Sequence, residues 1–233
     1  MKKLGTILAV ALMPMVFVAC DKDDDDVSNP DNRVMGTSSA LEYEVFTDNP
    51  AVLVPGAAFT WLSGYAWVDE LKFEAKGDNG DHVMYKSKAD RKIDLFAPSS
   101  TLGVLAIPPG SYDKIKFKLA LEPHEPESAI LLSGQLMDKG VPIPVVFAIN
   151  REVELNVHAK DVLVMNGDDY LTVLALQLAQ LTNGITANML YDADVINGQI
   201  IISNVYNRDL YNIMLDNVDH FVKGNCKKKK KKK

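Results

Sequence analysis

Apolar and polar residues alternate with a period of two along much of this chain. Leu41, Tyr43 and Val45 alternate with Glu42 and Glu44, the pattern of a strand with one buried and one wet face. The longest such run goes from Phe59 to Lys76. Phe59, Trp61, Tyr65, Trp67, Leu71, Phe73 and Ala75 share one parity, and Thr60, Glu70, Lys72, Glu74 and Lys76 take the other. Ser63-Gly64 marks a bulge or bend inside it. Lys76-Gly77-Asp78-Asn79-Gly80-Asp81 has hairpin-loop chemistry, followed by short strands over His82–Lys86 and Lys92–Phe96. Leu102–Ile107 leads into the Pro108-Pro109-Gly110-Ser111 turn. In Tyr112–Leu121, Ile115, Phe117, Leu119 and Leu121 oppose Lys114, Lys116 and Lys118. Ala129–Met137, Val141–Ile149 and Glu152–His158 complete the series. Short strands at this spacing, with turn signals between them, predict a sandwich or barrel.

The period changes after Asn166-Gly167. Tyr170, Leu171, Leu174, Leu178 and Leu181 recur at helical spacing, with Asp168 and Asp169 placed to cap the start and Asn183-Gly184 to end it. A short helical turn over Ile185–Leu190 and an apolar strand over Gln199–Ser203 follow. Leu210, Ile213, Met214, Val218 and Phe221 then predict a last amphipathic helix. The expected architecture is an antiparallel β-sandwich over residues 37–165. A helix–strand–helix segment, residues 166–223, packs on it. Residues 224–233 end in seven lysines and are expected to be a solvated tail, since like-charge blocks do not pack.

The N-terminus changes the picture of where this domain works. Lys2 and Lys3 precede an apolar run over Leu4–Val18, then Ala19-Cys20, then Asp21-Lys22-Asp23-Asp24-Asp25-Asp26. A charged start, a short apolar stretch and a small residue before a cut make an export signal. The cysteine after the cut resembles the lipobox of bacterial lipoproteins, whose thiol is acylated by groups such as palmitate. The acidic run resembles the surface-export signal of Bacteroidetes lipoproteins. Residues 1–19 are therefore expected to be a signal peptide. Residues 20–36 are read as lipidated Cys20 and an acidic disordered tether. The implied location is the outer membrane, lipid-anchored and at the cell surface. No later apolar run approaches the roughly 20 residues a spanning helix needs. Losing Lys2 and Lys3 takes the formal net charge from −6 to −8, and setting aside the seven terminal lysines takes it to −15. So acidic a body disfavours nucleic acid or anionic lipid as its main partner. With Cys20 acylated, Cys226 has no internal partner.

Several strings together resemble a known family. They are Trp61-Leu62-Ser63-Gly64-Tyr65, Phe73-Glu74-Ala75-Lys76, Ile93-Asp94-Leu95-Phe96, Ile107-Pro108-Pro109-Gly110-Ser111-Tyr112, Ile143-Pro144-Val145 and Gly198-Gln199-Ile200-Ile201-Ile202-Ser203. They resemble, over roughly residues 37–220, Bacteroidetes lipoproteins related to the domain-of-unknown-function 4382 family. The resemblance implies a prealbumin-like β-sandwich on a lipid anchor. It carries no established activity and transfers no catalytic residue. Gly224-Asn225-Cys226 and the lysine run depart from it.

Candidate chemistry is sparse. His82, His124, His158 and His220 show no metal-ligand spacing, and no nucleophile elbow follows a strand. Asp78, Asn79 and Asp81 offer hard oxygen ligands around Gly80, a set calcium accepts, though turn formation explains the same residues. Trp61, Tyr65 and Trp67 could stack on sugar rings, but their parity places them with the core; a bend of the sheet at Gly64 would instead leave Trp61 or Tyr65 exposed at the rim. The expected function is a non-enzymatic, lipid-anchored module that binds a ligand or assembles with envelope proteins. The alternatives are a glycan-binding or glycan-processing accessory and a calcium-stabilised adhesin. No cofactor is expected beyond the lipid on Cys20, with calcium as the alternative.

Overall fold

The computed structural model describes residues 39–49, 53–77, 80, 82–98 and 100–228. Cys20, the tether and the Asp78, Asn79 and Asp81 triplet lie outside them. The period-two segments form β1 (Ser39–Asp48), β2 (Ala58–Gly77), β3 (His82–Asp94), β4 (Ser100–Ile107), β5 (Gly110–Leu121), β6 (Ile130–Asp138), β7 (Val141–Ile149) and β8 (Val153–Val164). Then come β9 (Tyr170–Gln177), the short helices α1 (Leu178–Leu181) and α2 (Ala187–Tyr191), β10 (Val195–Ile196) and β11 (Gln199–Ile202). Helix α3 (Arg208–Asp216), a 3₁₀ turn (Val218–His220) and β12 (Val222–Lys228) end the described chain. The protein is mainly β, with two mixed sheets packed as a sandwich and a small helical segment near the C-terminus.

The smaller sheet has the order β12-β9-β1-β4, with β9 parallel to β1 and the other pairs antiparallel. The larger sheet is organised on β2. One edge of β2 pairs with β3 over Tyr65–Lys76. The opposite edge pairs first with β6, over Ala58–Ala66, and then with β5, over Val68–Gly77. β5 and β6 thus lie end to end along one edge, and their partners β8 and β7 repeat the arrangement one strand further out. The β3-β2-β5-β8 half faces the smaller sheet, where Tyr43 meets Phe117 edge-on at 5.4 Å and Phe73 lies 5.4 Å from Phe117. The other half is covered by the helical segment, with Phe147 and Tyr211 at 6.2 Å.

Three expectations are corrected. Tyr170–Gln177 is a strand, and helix begins only at Leu178. Tyr170, Thr172, Leu174 and Leu176 are buried in alternation, and pairing with both β1 and β12 fixes the segment extended. Leucine spacing that suits a helix also lets alternate leucines face a core. Second, residues 166–223 do not merely pack on the sandwich, because β9 is an inner strand of its smaller sheet. Third, the predicted tail begins as structure: Gly224–Lys228 belong to β12, antiparallel to β9. The backbone there gains a hydrogen-bond ladder to β9 along one edge, and lysine is well suited to an edge strand because it discourages further pairing.

Candidate functional site

β2 contains two irregularities, one between Trp61 and Ser63 against β6 and one between Val68 and Glu70 against β3 and β5. Each inserts one residue, and because side chains alternate faces, each reverses which parity points inward. Before the first, Phe59 and Trp61 are buried; after the second, Leu71, Phe73 and Ala75 are buried. Between them Ala66 and Val68 are the buried residues, and Tyr65 and Trp67 are only half-buried. The assignment of Tyr65 and Trp67 to the core face is therefore overturned. Trp61 does lie in the core, edge-on to Phe59 at 4.7 Å, its indole N–H without a hydrogen-bond partner. Gly64 makes the bend possible: a Cβ there would lie 2.8 Å from the Leu131 carbonyl oxygen and 2.5 Å from Leu132 Cδ2.

A cluster assembles around Trp67. Residues 122–129 leave the sheet between β5 and β6, and the root of this loop is fixed to the Trp67 backbone. Trp67 N donates to Ala129 O (2.9 Å), and Glu122 N donates to Trp67 O (3.2 Å). The tip folds back through reciprocal backbone bonds between His124 and Glu127 (3.0 and 2.8 Å). The imidazole of His124 stacks on the indole of Trp67, with centroids 4.4 Å apart and planes 19° from parallel. Trp67 Nε1 donates to Glu127 Oε2 at 2.7 Å. From β3, Lys92 Nζ donates to Glu127 Oε1 and sits 3.9 Å from the centroid of the Tyr65 ring and 6.0 Å from that of Trp67. Asp90 Oδ1 stands 3.8 Å from His124 Nδ1. Hydrogen bonds from Lys92 and Trp67 hold the Glu127 carboxyl below the usual carboxylate range, so it is ionised at neutral pH.

Chemically, this is a pair of aromatic rings two residues apart on one strand, about 6.8 Å along its axis, bordered by a cation and by carboxylates. Such a surface offers ring faces to apolar C–H groups and charged hydrogen-bonding partners to hydroxyls around them. Comparison with family models, curated proteins and solved structures returns no match. The residues themselves are what speak for function.

The other candidates fall elsewhere. Asp78, Asn79 and Asp81 lie outside the described residues, as does Cys20. Among the described residues no group of three or more His, Cys, Asp or Glu side chains is placed to hold a metal ion, and no helix is long and apolar enough to cross a membrane. Cys226 is a free thiol. It lines a crevice of about 440 Å³ with His158, Lys160, Leu163 and Tyr170. Burial pushes its pKa up, with the nearby Thr172 hydroxyl weighing the other way, so it is held as the unreactive thiol. The sequence pattern points to Tyr65 and Trp67 but not to Lys92, Glu127 or Asp90, and in it His124 shows no more than the absence of metal-ligand spacing. A loop flanked by Pro123 and Pro126 and carrying His124, Glu125 and Glu127 was the available signal.

Proposed function

We propose that this chain is a non-enzymatic, lipid-anchored protein of the outer membrane surface whose sandwich binds a glycan through the outward Tyr65–Trp67 face. The observation that carries the binding reading is the reversal of parity between the two β2 bulges, which turns two aromatic rings out of the core and beside Lys92, Glu127 and Asp90. Sugar rings stack their C–H faces on indole and phenol rings while their hydroxyls donate hydrogen bonds to flanking carboxylates and accept them from flanking ammonium groups. The stacked His124 and the Lys92 ammonium occupy those positions in the free protein. Both side chains are exposed, so a saccharide can take their place on the rings.

The anchor rests on Lys2-Lys3, Leu4–Val18, Ala19-Cys20 and the acidic run Asp21–Asp26. Its resemblance to Bacteroidetes lipoproteins, shared with the strings related to the domain-of-unknown-function 4382 family, supports the same location. The described domain starts at Ser39, 19 positions beyond Cys20. An extended tether of that length reaches on the order of 60 Å, enough to hold a sandwich clear of the bilayer.

The binding reading is tested by titrating the protein with a panel of neutral and acidic oligosaccharides and following indole fluorescence and binding heat. Trp67→Ala should weaken the best ligand by about 30-fold, the effect of losing an aromatic hot spot, while Trp61→Phe should leave it unchanged. Equal affinity in Trp67→Ala and the parent would overturn the site. The anchor is tested separately: Cys20→Ser should release the protein from membranes, and continued fractionation with them would refute lipidation.

A further inference from the structure

Beyond the second bulge, the outer face of the β3-β2-β5-β8 half carries rows of basic side chains. Register places His82, Lys76, Lys114 and Lys160 directly opposite one another across four strands. The next rows are Met84, Glu74, Lys116 and His158, then Lys86, Lys72, Lys118 and Asn156, and finally Lys88, Glu70, Ala120 and Glu154. Eight lysines thus share one face with three glutamates in a chain whose formal net charge is −6. Two of the three glutamates are engaged, Glu70 with Lys72 and Lys86 and Glu154 with Lys72 and Lys118. Among the described residues Lys76, Lys114, Lys116 and Lys160 have no ion-pair partner. Neighbouring strands lie about 4.8 Å apart, so the first row spans roughly 14 Å. Like charges directly opposite on paired strands destabilise a sheet. Burial, then Lys114 and Lys116, push the pKa of His158 down, a local sign of the same positive field.

The position of this face matters as much as its charge. Gly110 begins β5 right after the turn from β4, whose last residue Ile107 pairs with Ser39. The chain enters the sandwich from Cys20 at that end. Lys228, opposite Tyr170, is at the same end, since Tyr170 also pairs with Leu41. The entry point of the tether, the exit toward the terminal lysines and the unpaired lysine row therefore share one end of the sandwich.

We propose that this lysine face docks on an anionic lipid surface, its ammonium groups meeting lipid phosphates. This rests on the lipid-anchor reading for its location but not for its chemistry. A two-dimensional array of cations spread over four strands fits the two-dimensional array of phosphates on a lipid surface, whereas a linear polyanion can follow only one row at a time. Eight lysines against three glutamates give this face a positive excess of five, which leaves a formal net charge of −6 − 5 = −11 for the rest of the chain. The lipid on Cys20 would hold the domain at the membrane, and the lysine face would orient it.

The test uses residues 20–233 carrying Cys20→Ser, so that neither the apolar signal stretch nor an acyl group contributes, and compares this chain with a form in which Lys229–Lys233 are also replaced by serine. Both are sedimented with vesicles of equimolar phosphatidylglycerol and phosphatidylcholine, and with vesicles of phosphatidylcholine alone. The serine-tailed form should bind the anionic vesicles, lose binding at high salt and ignore the zwitterionic ones. Adding Lys76→Gln, Lys114→Gln and Lys160→Gln should weaken binding on the order of 100-fold, about fivefold for each lysine. Thermal melts of these variants should match or exceed the parent, because a like-charge row is relieved. Loss of all binding with the serine tail would assign it to the terminal lysines and overturn the proposal, as would full binding by the triple variant. Tighter binding to soluble polygalacturonate than to anionic vesicles would overturn the choice of lipid. None of these results bears on whether Cys20 is acylated, which the release experiment decides by itself.

Discussion

Adding one methyl group at Gly224 should destabilise the protein, and removing two from Val157 should cancel most of that effect. The smaller sheet ends in β12 and the larger in β8, so the two meet as edge strands. A Cβ on residue 224 would stand 1.8 Å from Val157 Cγ1, 2.8 Å from its Cβ and 3.0 Å from its Cγ2. No rotamer of Val157 moves its own Cβ, so β12 or β8 must shift. Overpacking of this kind costs about 1–3 kcal/mol, and replacing glycine by alanine in a strand returns about 0.5–1 kcal/mol. Gly224→Ala should therefore lose about 1–2 kcal/mol net, a fall in Tm of roughly 3–6 °C for a domain of this size. Val157 is 6% exposed. Val157→Ala alone should cost about 2 kcal/mol from lost apolar burial and the cavity it leaves. In the double variant the new methyl enters the space the valine methyls vacate. Its stability should match Val157→Ala or exceed it. Urea denaturation of the four proteins closes the cycle, with unchanged m-values as the check on two-state unfolding. Simple additivity within about 0.3 kcal/mol, or a Gly224→Ala protein as stable as the parent, would refute the close approach of β12 to β8.

Three further outcomes follow from single side chains. The hydroxyl of Tyr43 is buried without a hydrogen-bond partner, so Tyr43→Phe should be neutral or stabilising by about 1 kcal/mol in calorimetry; a clear loss would show that the hydroxyl is bonded. Lys92 and Trp67 hold Glu127 below its ordinary pKa, so its contribution is present above the unfolded value and is lost as pH falls through the folded one. Glu127→Gln should thus lower the neutral-pH Tm and flatten its acid dependence, and two parallel Tm-against-pH curves would count against the clamp. Burial, Lys114 and Lys116 keep His158 below its ordinary value, so the unfolded chain takes up that proton first and stability should slip as pH drops below about 6.5. Lys114→Gln should move the imidazole titration upward by NMR, and an unmoved midpoint would exclude the lysine's influence.

Strand existence was legible because burial on one face leaves a period of two, as in Tyr112–Leu121 and in Leu41, Tyr43 and Val45. Where one pattern satisfies two periods, local reading fails. Leu171, Leu174, Leu178 and Leu181 fit a helix, yet Leu174 also falls on the buried face of an extended segment with Tyr170, Thr172 and Leu176. The decision lies with β1 and β12, partners more than 40 residues away in either direction. The lysine run hid β12 for a similar reason. Its charge says nothing about a backbone whose ladder is supplied by β9, and an edge strand is where lysines are tolerated.

The aromatic face was hidden by something more specific. A single bulge in β2 would have left a visible break, with apolar residues on odd positions before it and on even positions after it. Two bulges restore the original phase. Phe59 and Trp61 before them and Leu71, Phe73 and Ala75 after them are all odd-numbered and all buried, so the run reads as unbroken. Only the short stretch between the bulges is inverted, and there the odd positions are Tyr65 and Trp67. Aromatic side chains strengthen the impression of a core because they are apolar and large. Ala66 and Val68, which take the inward places, are small enough to pass as residues of the wet face. A paired insertion of this kind leaves the parity of the whole strand intact while turning two rings outward. The clue is therefore local: bulky rings at odd positions beside Ser63-Gly64, with Ala66 and Val68 between and after them. Gly64 admits the backbone of β6 at a distance no Cβ would allow, and the loop over residues 122–129 then finds Trp67 already facing it.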